Sequence, residues 1–123
     1  MIEIDGGLYL GRSNLLHDII IAPTQYEKQM RWDDANLYCQ FLNIDGYNDW
    51  RLPSPSDLLF ILRTFYDIDR FKNYELTQIV PYWTNMEVDN ILATTIGAFS
   101  LNSCNLYKNT YMVLVRPIRY SNG

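Results

Sequence analysis

The chain has 123 residues and a mass of 14.5 kDa, which is the size of a single domain. Hydrophobic residues make up 48% of it and charged residues 20%, an ordinary globular composition that excludes an intrinsically disordered chain. The net charge is −4 and no basic cluster supplies the footprint that nucleic acids require, so we expect no nucleic-acid partner.

The N-terminal part is predicted to form short strands. Residues 2–4 alternate between isoleucine and an acid, and Gly6 and Gly7 mark a turn before a second strand at residues 8–10. Residues 18–22 form a compact apolar run ahead of Pro23, which predicts a buried strand. No apolar run approaches the roughly 20 residues of a membrane span, so we expect no membrane insertion.

Two helices are predicted in the middle of the chain. The first covers residues 32–43, where two acids occupy the first turn. The second follows Ser54, an N-cap serine with Pro55 at the first helical position and Asp57 three residues after the cap, and it is expected to end at residues 64–67. The apolar positions at helical spacing are Trp32, Ala35, Cys39 and Leu42 in the first helix and Leu58, Ile61, Leu62 and Phe65 in the second.

The C-terminal part loses the helical period and is predicted to form a meander of strands. The last strong strand is expected to stop at Pro117. Strands, two helices and further strands make an α+β pattern, and we interpret residues 1–123 as one α+β domain. The predicted strands cover residues 82–86, 91–95, 98–101 and 111–116, with a turn at 88–91 and a loop at 102–105.

The cysteines and the single histidine show no recognisable catalytic or metal-binding pattern. Cys39 and Cys104 each lack a second ligand nearby in the sequence, and one histidine without a CxxC motif argues against a zinc site. We expect both cysteines to be buried and unpaired, and His17 to lie in a surface loop. No metal and no cofactor are predicted.

Two separated motifs carry a resemblance to a known family. Residues 46–62 read GYNDWRLPSPSDLLFIL, a Tyr-Trp-Thr strand follows at residues 82–84, and Val-Arg-Pro-Ile-Arg closes the pattern at 115–119. In this order, and with the apolar residues of the first helix, the chain resembles the C-terminal domain of the Lcl-type bacterial adhesins, a bacterial and phage family, from about Trp32 to Arg119. The resemblance implies a C-type-lectin-like fold, in which two helices pack on a twisted antiparallel sheet and strands from both ends of the chain are neighbours.

The residues of the family motif are interpreted as structural. Trp50 is large enough to anchor a small core, and Ser54 caps the second helix. Arg51 is expected to hydrogen-bond backbone carbonyls or an acid, and at least one of Arg116 and Arg119 is expected to pair with an aspartate. The full structural set is Trp32, Trp50, Arg51, Leu52, Pro53, Ser54, Asp57, Arg116 and Arg119.

Two activities known for this fold are not expected. Calcium-dependent C-type lectins carry Glu-Pro-Asn or Gln-Pro-Asp together with Trp-Asn-Asp, and none of these triplets occurs in this chain. Formylglycine-generating enzymes share the RLP-[ST] entry to a helix but need a pair of reactive cysteines late in the domain, where this chain offers Cys104 alone. The resemblance therefore implies a calcium-independent domain that is not an enzyme, and an enzyme of that branch is the weakest alternative.

The polar and aromatic segment from Trp83 to Tyr111 is the predicted recognition surface. The chain holds 10 Tyr and 11 Asn, residue types that dominate surfaces built for recognition. Tyrosines that fill a small core and asparagines in ordinary hairpin turns explain the same composition without a function. The candidate ligand-binding residues are Trp83, Asn85, Glu87, Asn102, Asn105, Tyr107, Asn109 and Tyr111.

The resemblance implies a non-enzymatic recognition or assembly module. A domain similar to adhesin and phage-fibre tips suits a virion component of the tail, fibre or capsid, or a surface-binding protein. Its expected partners are a protein or glycan ligand and other virion proteins, and a homo-oligomer is compatible with this role. The alternative is an intracellular interaction protein, such as one that binds and inhibits a host enzyme. Because the first residues, MIEIDGG, lack the order of a signal peptide, we expect a virion or cytoplasmic location.

Overall fold

In the computed structural model of the chain, residues 2–4, 6–12, 18–64 and 80–121 are described, and they form strands and two α-helices. The α+β class and the N-terminal strands predicted from the sequence are confirmed. Neither of the two described helices has the length and apolar composition of a membrane-spanning segment. The elements are β1 (Ile2–Ile4), β2 (Gly7–Arg12), β3 (Asp18–Ile21), β4 (Lys28–Met30), α1 (Trp32–Phe41), α2 (Pro55–Thr64), β5 (Pro81–Glu87), β6 (Leu92–Gly97), β7 (Ser103–Tyr107), β8 (Val113–Val115) and β9 (Ile118–Ser121).

The strands form two sheets. The first is antiparallel, in the order β1-β2-β3-β9, so strands from both ends of the chain are neighbours. The second has the order β4-β8-β5-β6-β7, and in it β8 runs parallel to β5 whereas the other pairs are antiparallel. The second sheet is therefore mixed, because the connection from β7 passes β6 and β5 before the chain enters β8.

The two helices cover opposite faces of the second sheet. Neighbouring residues of a strand point to opposite sides, and in β5 this separates Trp83 from Tyr82. Trp83 packs with Trp32 and Ala35 of α1, whereas Tyr82 packs with Leu58 of α2. Trp83 is completely buried and Tyr82 is 2% exposed, so the second sheet lies at the centre of the core.

α1 is fixed at its first residue. It begins at Trp32 as predicted and ends at Phe41, two residues before the expected end, and Arg31 ahead of it supplies no side-chain cap. The indole Nε1 of Trp32 donates to the carbonyl of Thr84 in β5 at 2.9 Å. This hydrogen bond joins the start of α1 to the middle of the second sheet.

α2 is capped as the sequence predicts. The hydroxyl of Ser54 accepts a hydrogen bond from the backbone N–H of Asp57 at 3.1 Å. The carboxylate of Asp57 is fully buried and accepts a hydrogen bond from the hydroxyl of Tyr120, which ties α2 to β9. Burial and, secondly, this hydrogen bond raise the pKa of Tyr120 to about 12. Phe65 and the predicted helix end beyond Thr64 lie outside the described residues.

The WRLPS motif joins the two sheets. Trp50 packs into the core of the first sheet, and Leu52 packs into the core between α1 and the second sheet. Between them, the backbone of Arg51 exchanges hydrogen bonds of 2.8 and 2.9 Å with Ile118 of β9. The guanidinium of Arg51 lies 4.9 Å from the centre of the Tyr120 ring, which is a cation–π contact. The sequence predicted a backbone carbonyl or an acidic side chain as the partner of Arg51.

The two C-terminal arginines are buried and paired. Nε of Arg119 donates to Oδ1 of Asp49 at 2.6 Å, which confirms that at least one of them pairs with an aspartate. Nε of Arg116 donates to the carbonyl of Ala22 at 2.7 Å, and its Nη1 lies 3.3 Å from Oε1 of Glu27. Both side chains therefore hold the last strands to earlier parts of the chain.

Two predictions for the C-terminal part are wrong. Residues 98–101, predicted as a strand, form a turn, because Leu101 has a positive φ of 60° and its N–H donates to the carbonyl of Gly97 at 2.9 Å. Residues 102–105, predicted as a loop, lead into β7 because β6 supplies their backbone partners. Pro117 ends β8 as expected, but the chain then enters β9 in the other sheet.

The Asp49–Arg119 pair predicts a dependence of stability on acid pH. Partial burial raises the pKa of Asp49, but the hydrogen bond and charge of Arg119 outweigh it and hold the pKa below its usual value. Such a carboxylate stabilises the fold above the unfolded pKa of about 3.9, and the contribution disappears as the pH falls through the folded pKa. We therefore expect Asp49→Asn to lower the thermal midpoint at neutral pH and to lower it much less in acid, once the pH has fallen below the folded pKa.

Asp45→Asn is the matched control for this measurement. Asp45 is exposed and makes no ion pair with the described residues, so its replacement should change the thermal midpoint little at either pH. An equal loss for Asp49→Asn at both pH values would contradict the role of the ion pair.

Candidate functional site

A buried lysine organises one end of the second sheet. Lys108 follows β7 and is 3% exposed. Its Nζ lies 2.5 Å from Oε2 of Glu87 and 2.5 Å from the carbonyl oxygen of Asp89, and 4.8 Å from the centre of a Trp32 ring. A buried ammonium group is unfavourable without partners, and here a carboxylate, a carbonyl and an aromatic face supply them. We call this set of contacts the Lys108 clamp.

The backbone of Lys108 adds two further connections. Its N–H donates to the carbonyl of Ile91 at 2.9 Å, and its carbonyl accepts a hydrogen bond from the N–H of Trp32 at 3.2 Å. The clamp therefore joins the end of β7, the turn between β5 and β6, and the start of α1.

The turn between β5 and β6 is held by its own aspartate. Oδ1 of Asp89 accepts hydrogen bonds from the N–H groups of Ile91 and Leu92, both at 2.8 Å. These two bonds are the largest causes of a lowered pKa for Asp89. The predicted turn at residues 88–91 is confirmed, and Asp89 gives it a defined backbone.

Most of the exposed large apolar side chains lie in two short segments, residues 86–91 and 107–112, which the contacts of Lys108 connect. Among the described residues, eight large hydrophobic side chains are exposed, and six of them lie on β5, the following turn, the end of β7 and the segment after it. The remaining two, Leu37 and Phe41, lie on the outer side of α1. We call the six residues the apolar end: Met86, Val88, Ile91, Tyr107, Tyr111 and Met112.

The predicted ligand-binding residues separate into three groups. Glu87, Tyr107, Asn109 and Tyr111 are exposed at or beside the apolar end. The prediction is wrong for Trp83, which is completely buried in the core and whose Nε1 donates to the carbonyl of Met30 at 2.9 Å.

The three remaining candidate residues lie elsewhere. Asn105 is in the middle of β7, where its Oδ1 accepts a hydrogen bond from the hydroxyl of Thr94 at 2.8 Å. Asn102 lies at the opposite end of β7 from Tyr107. Asn85 faces a polar cleft, and its backbone N–H donates to the carbonyl of Pro53 at 2.8 Å.

The polar cleft is a second surface feature, with a volume of about 490 Å³. Asp49 is committed to Arg119, and Arg51 lies over Tyr120. The carboxamides of the cleft both donate and accept hydrogen bonds, so they can bind a polar ligand. Its polar lining consists of Asn36, Gln40, Asn48, Asp49, Arg51 and Asn85.

The cysteines differ in their environments. Cys39 is 2% exposed, and burial raises the pKa of its thiol to about 12, which keeps it protonated and unreactive. Cys104 is exposed, so the expectation that it is buried is wrong, while both cysteines are unpaired as expected. His17 lies outside the described residues. Within the described ranges, no three His, Cys, Asp or Glu side chains lie close enough to hold a metal ion.

The sequence has no match among protein-family models, and no curated protein matches it. Sequence reasoning missed Met86, Val88, Ile91 and Met112, because isolated apolar residues in strands and turns normally indicate the core. It also missed the role of Lys108, since its partners are distant in the sequence.

Replacing Lys108 tests whether the clamp stabilises the fold. Lys108→Met removes the ammonium group and keeps the apolar stem over Trp32. We expect a loss of roughly 1–3 kcal/mol in the free energy of unfolding, because hydrogen bonds to a charged group are lost. Unfolding in urea, followed by circular dichroism, measures the change.

Glu87→Gln is the control for this experiment. The Glu87 side chain is 55% exposed, so water can replace its contact with Lys108, and we expect a loss of at most about 1 kcal/mol. A Lys108→Met protein as stable as the parent would show that the clamp contributes nothing.

Proposed function

We propose that the chain is a non-enzymatic recognition or assembly module that binds a protein partner through the apolar end. The observation that carries this proposal is the concentration of six exposed large apolar side chains around a backbone joined by the Lys108 clamp. Single exposed apolar residues are normal on soluble proteins. A group of them in one region is typical of a surface that another molecule covers.

The chemistry of the apolar end suits a protein partner. Tyr107 and Tyr111 offer rigid aromatic area with a polar hydroxyl, and tyrosine and methionine are enriched at interfaces. Met86 and Met112 add flexible side chains that adapt to an irregular partner. The ammonium of Lys108 is buried and paired, so it adds no free charge to the contact.

Preorganisation favours the same interpretation. Ordering loops and side chains on binding costs free energy that subtracts from affinity. The turn before β6 is already fixed by Asp89, and the segment after β7 is already fixed by Lys108. A partner therefore meets a surface whose backbone is defined before binding.

A glycan ligand is the second candidate, and the polar cleft favours it. Asn36, Gln40, Asn48 and Asn85 bring carboxamides to one concave surface. Each carboxamide both donates and accepts hydrogen bonds, which suits the hydroxyl groups of a sugar. This interaction would be calcium-independent.

The resemblance described above suggests the scaffold and the setting. We propose a C-type-lectin-like domain of the Lcl C-terminal type, serving as a virion component or as a surface-binding protein. The alternative is an intracellular inhibitor of a host enzyme, which would use the same apolar end. The two settings differ in the cell fraction that contains the partner.

Substitution of the apolar end tests this function. In one variant, Val88, Ile91 and Met112 are replaced by serine; in the control variant, Leu37 and Phe41 of α1 are replaced by serine. We expect the parent and the control to retain one protein from a bacterial envelope or cytosolic fraction. The first variant should retain at most about a tenth of the amount of that protein that the parent retains. Quantitative mass spectrometry of material bound to the immobilised proteins measures the retention.

The fraction that supplies the partner distinguishes the settings. A partner from the envelope favours the surface or virion role, and a partner from the cytosol favours the inhibitor. Equal retention by all three proteins would contradict binding through the apolar end, provided that the variants melt at the same temperature as the parent.

A further inference from the structure

Within residues 2–4, 6–12, 18–64 and 80–121, β7 is an edge strand that nothing protects against further strand pairing. In the described part of the chain it pairs with β6 alone, in a continuous register. Proteins usually protect such an edge with a charged residue, a proline, a bulge or a covering segment. The sequence of β7, Ser-Cys-Asn-Leu-Tyr, contains neither a charge nor a proline, and four of its five residues are exposed.

The other three edge strands of the described sheets carry such protection. β1 and β4 are each only three residues long, and β4 also contains Lys28. β9 contains Arg119, and the backbone of Arg51 pairs with Ile118 along its outer side. Of the four described edge strands, β7 is therefore the one that lacks these protective features.

Alternate residues of β7 direct their backbone groups away from β6. The N–H of Lys108 donates to the carbonyl of Ile91, and the N–H of Gly97 donates to the carbonyl of Asn102, at 2.9 and 3.1 Å. Hydrogen-bonded and non-bonded positions alternate in an antiparallel pair, so positions 102, 104, 106 and 108 face β6. The positions whose N–H and C=O groups point outward are Ser103, Asn105 and Tyr107.

We propose that two copies of this chain associate through β7, in antiparallel pairing about a two-fold axis at Asn105. In this register Asn105 faces the partner subunit's Asn105, and Ser103 faces the partner subunit's Tyr107. All three outward positions then lie in hydrogen-bonded pairs. The contact gains about six interchain hydrogen bonds, compared with about 5–15 in a typical interface.

The side chains of β7 are complementary to those of a second copy. On one face, half-buried Leu106 packs against the cluster around Trp32, and exposed Cys104 lies on the same face. The two-fold register places the partner's Leu106 opposite Cys104, which extends this apolar row. On the other face, Ser103 is small and leaves room for the ring of the partner's Tyr107.

Charge does not oppose a second copy at the β7 edge. Two copies of an acidic chain repel each other in general, because each carries a net charge of −4. The strand at the axis is uncharged, so no like charges meet across it. A five-residue strand is about 17 Å long, and we therefore expect a reversible dimer with a small interface.

The native cysteines allow a direct test without substitution. Cys104 is exposed and Cys39 is buried, so a thiol-specific nitroxide label attaches to Cys104 alone. In the dimer the two Cys104 residues lie on adjacent strands and are offset by two residues along the strand direction. Their Cα atoms are therefore about 8 Å apart. We expect a dipolar broadening of the electron paramagnetic resonance spectrum that disappears when the labelled protein is diluted with an excess of unlabelled protein.

Substitutions at Asn105 test the register. Asn105→Pro removes the outward N–H at the axis, while the ladder with β6 does not use that group. Asn105→Lys places two positive charges opposite each other. Asn105→Thr keeps the N–H and strand propensity, and it shares with the other two the loss of the hydrogen bond to Thr94. Sedimentation between about 1 μM and about 1 mM should show a dimer for the parent and Asn105→Thr, and a monomer for the other two.

Each outcome decides the proposal. The proposal is overturned if the parent protein stays monomeric over this concentration range and its electron paramagnetic resonance spectrum shows no dipolar broadening. A dimer that persists in Asn105→Lys and in a folded Asn105→Pro overturns the contact through β7. Tyr107 belongs to both β7 and the apolar end, but the Asn105 variants leave all six residues of the apolar end unchanged. Loss of the dimer in these variants is therefore distinguishable from loss of a partner at the apolar end.

Discussion

The ammonium group of Lys108 is the contact on which the candidate site depends. Burial of this charge is tolerated because a carboxylate, a carbonyl and an indole ring lie around it. These groups come from the end of β5, the following turn and the start of α1. One side chain therefore joins the β5–β6 connection to the start of α1, which is distant in the sequence, and the apolar side chains beside Lys108 are displayed from a defined backbone. A small domain can in this way keep a hydrophobic surface exposed without rearranging to bury it.

Local signals in the sequence predicted the helices, and long-range pairing decided what those signals missed. The cap at Ser54 and the helical spacing after Trp32 depend on neighbours within one or two turns, so they can be read from the chain alone. Residues 102–105 have the composition of a loop, and they become part of β7 because β6 offers backbone partners. Leu101 adopts a positive φ that its residue type does not favour, so a turn replaced the predicted strand.

For the candidate site, composition identified the segment and failed to identify its side chains. Asparagine and tyrosine content indicated residues 83–111, and Tyr107 and Tyr111 are indeed exposed there. Composition does not show which way alternate residues of a strand face, and Trp83 consequently belongs to the core. Apolar residues such as Ile91 normally indicate burial, so only the three-dimensional arrangement showed that they form an exposed surface.

Amide hydrogen exchange measured by nuclear magnetic resonance tests the central claim most directly, namely that the Lys108 clamp holds the apolar end rigid. The informative amides are those of Lys108, Ile91 and Leu92, whose acceptors are the carbonyl of Ile91 and the carboxylate of Asp89. The account predicts exchange at least about a hundredfold slower than in an unstructured chain for these amides, and a loss of that protection in Lys108→Met. Exchange at the unstructured rate in the parent protein would contradict it.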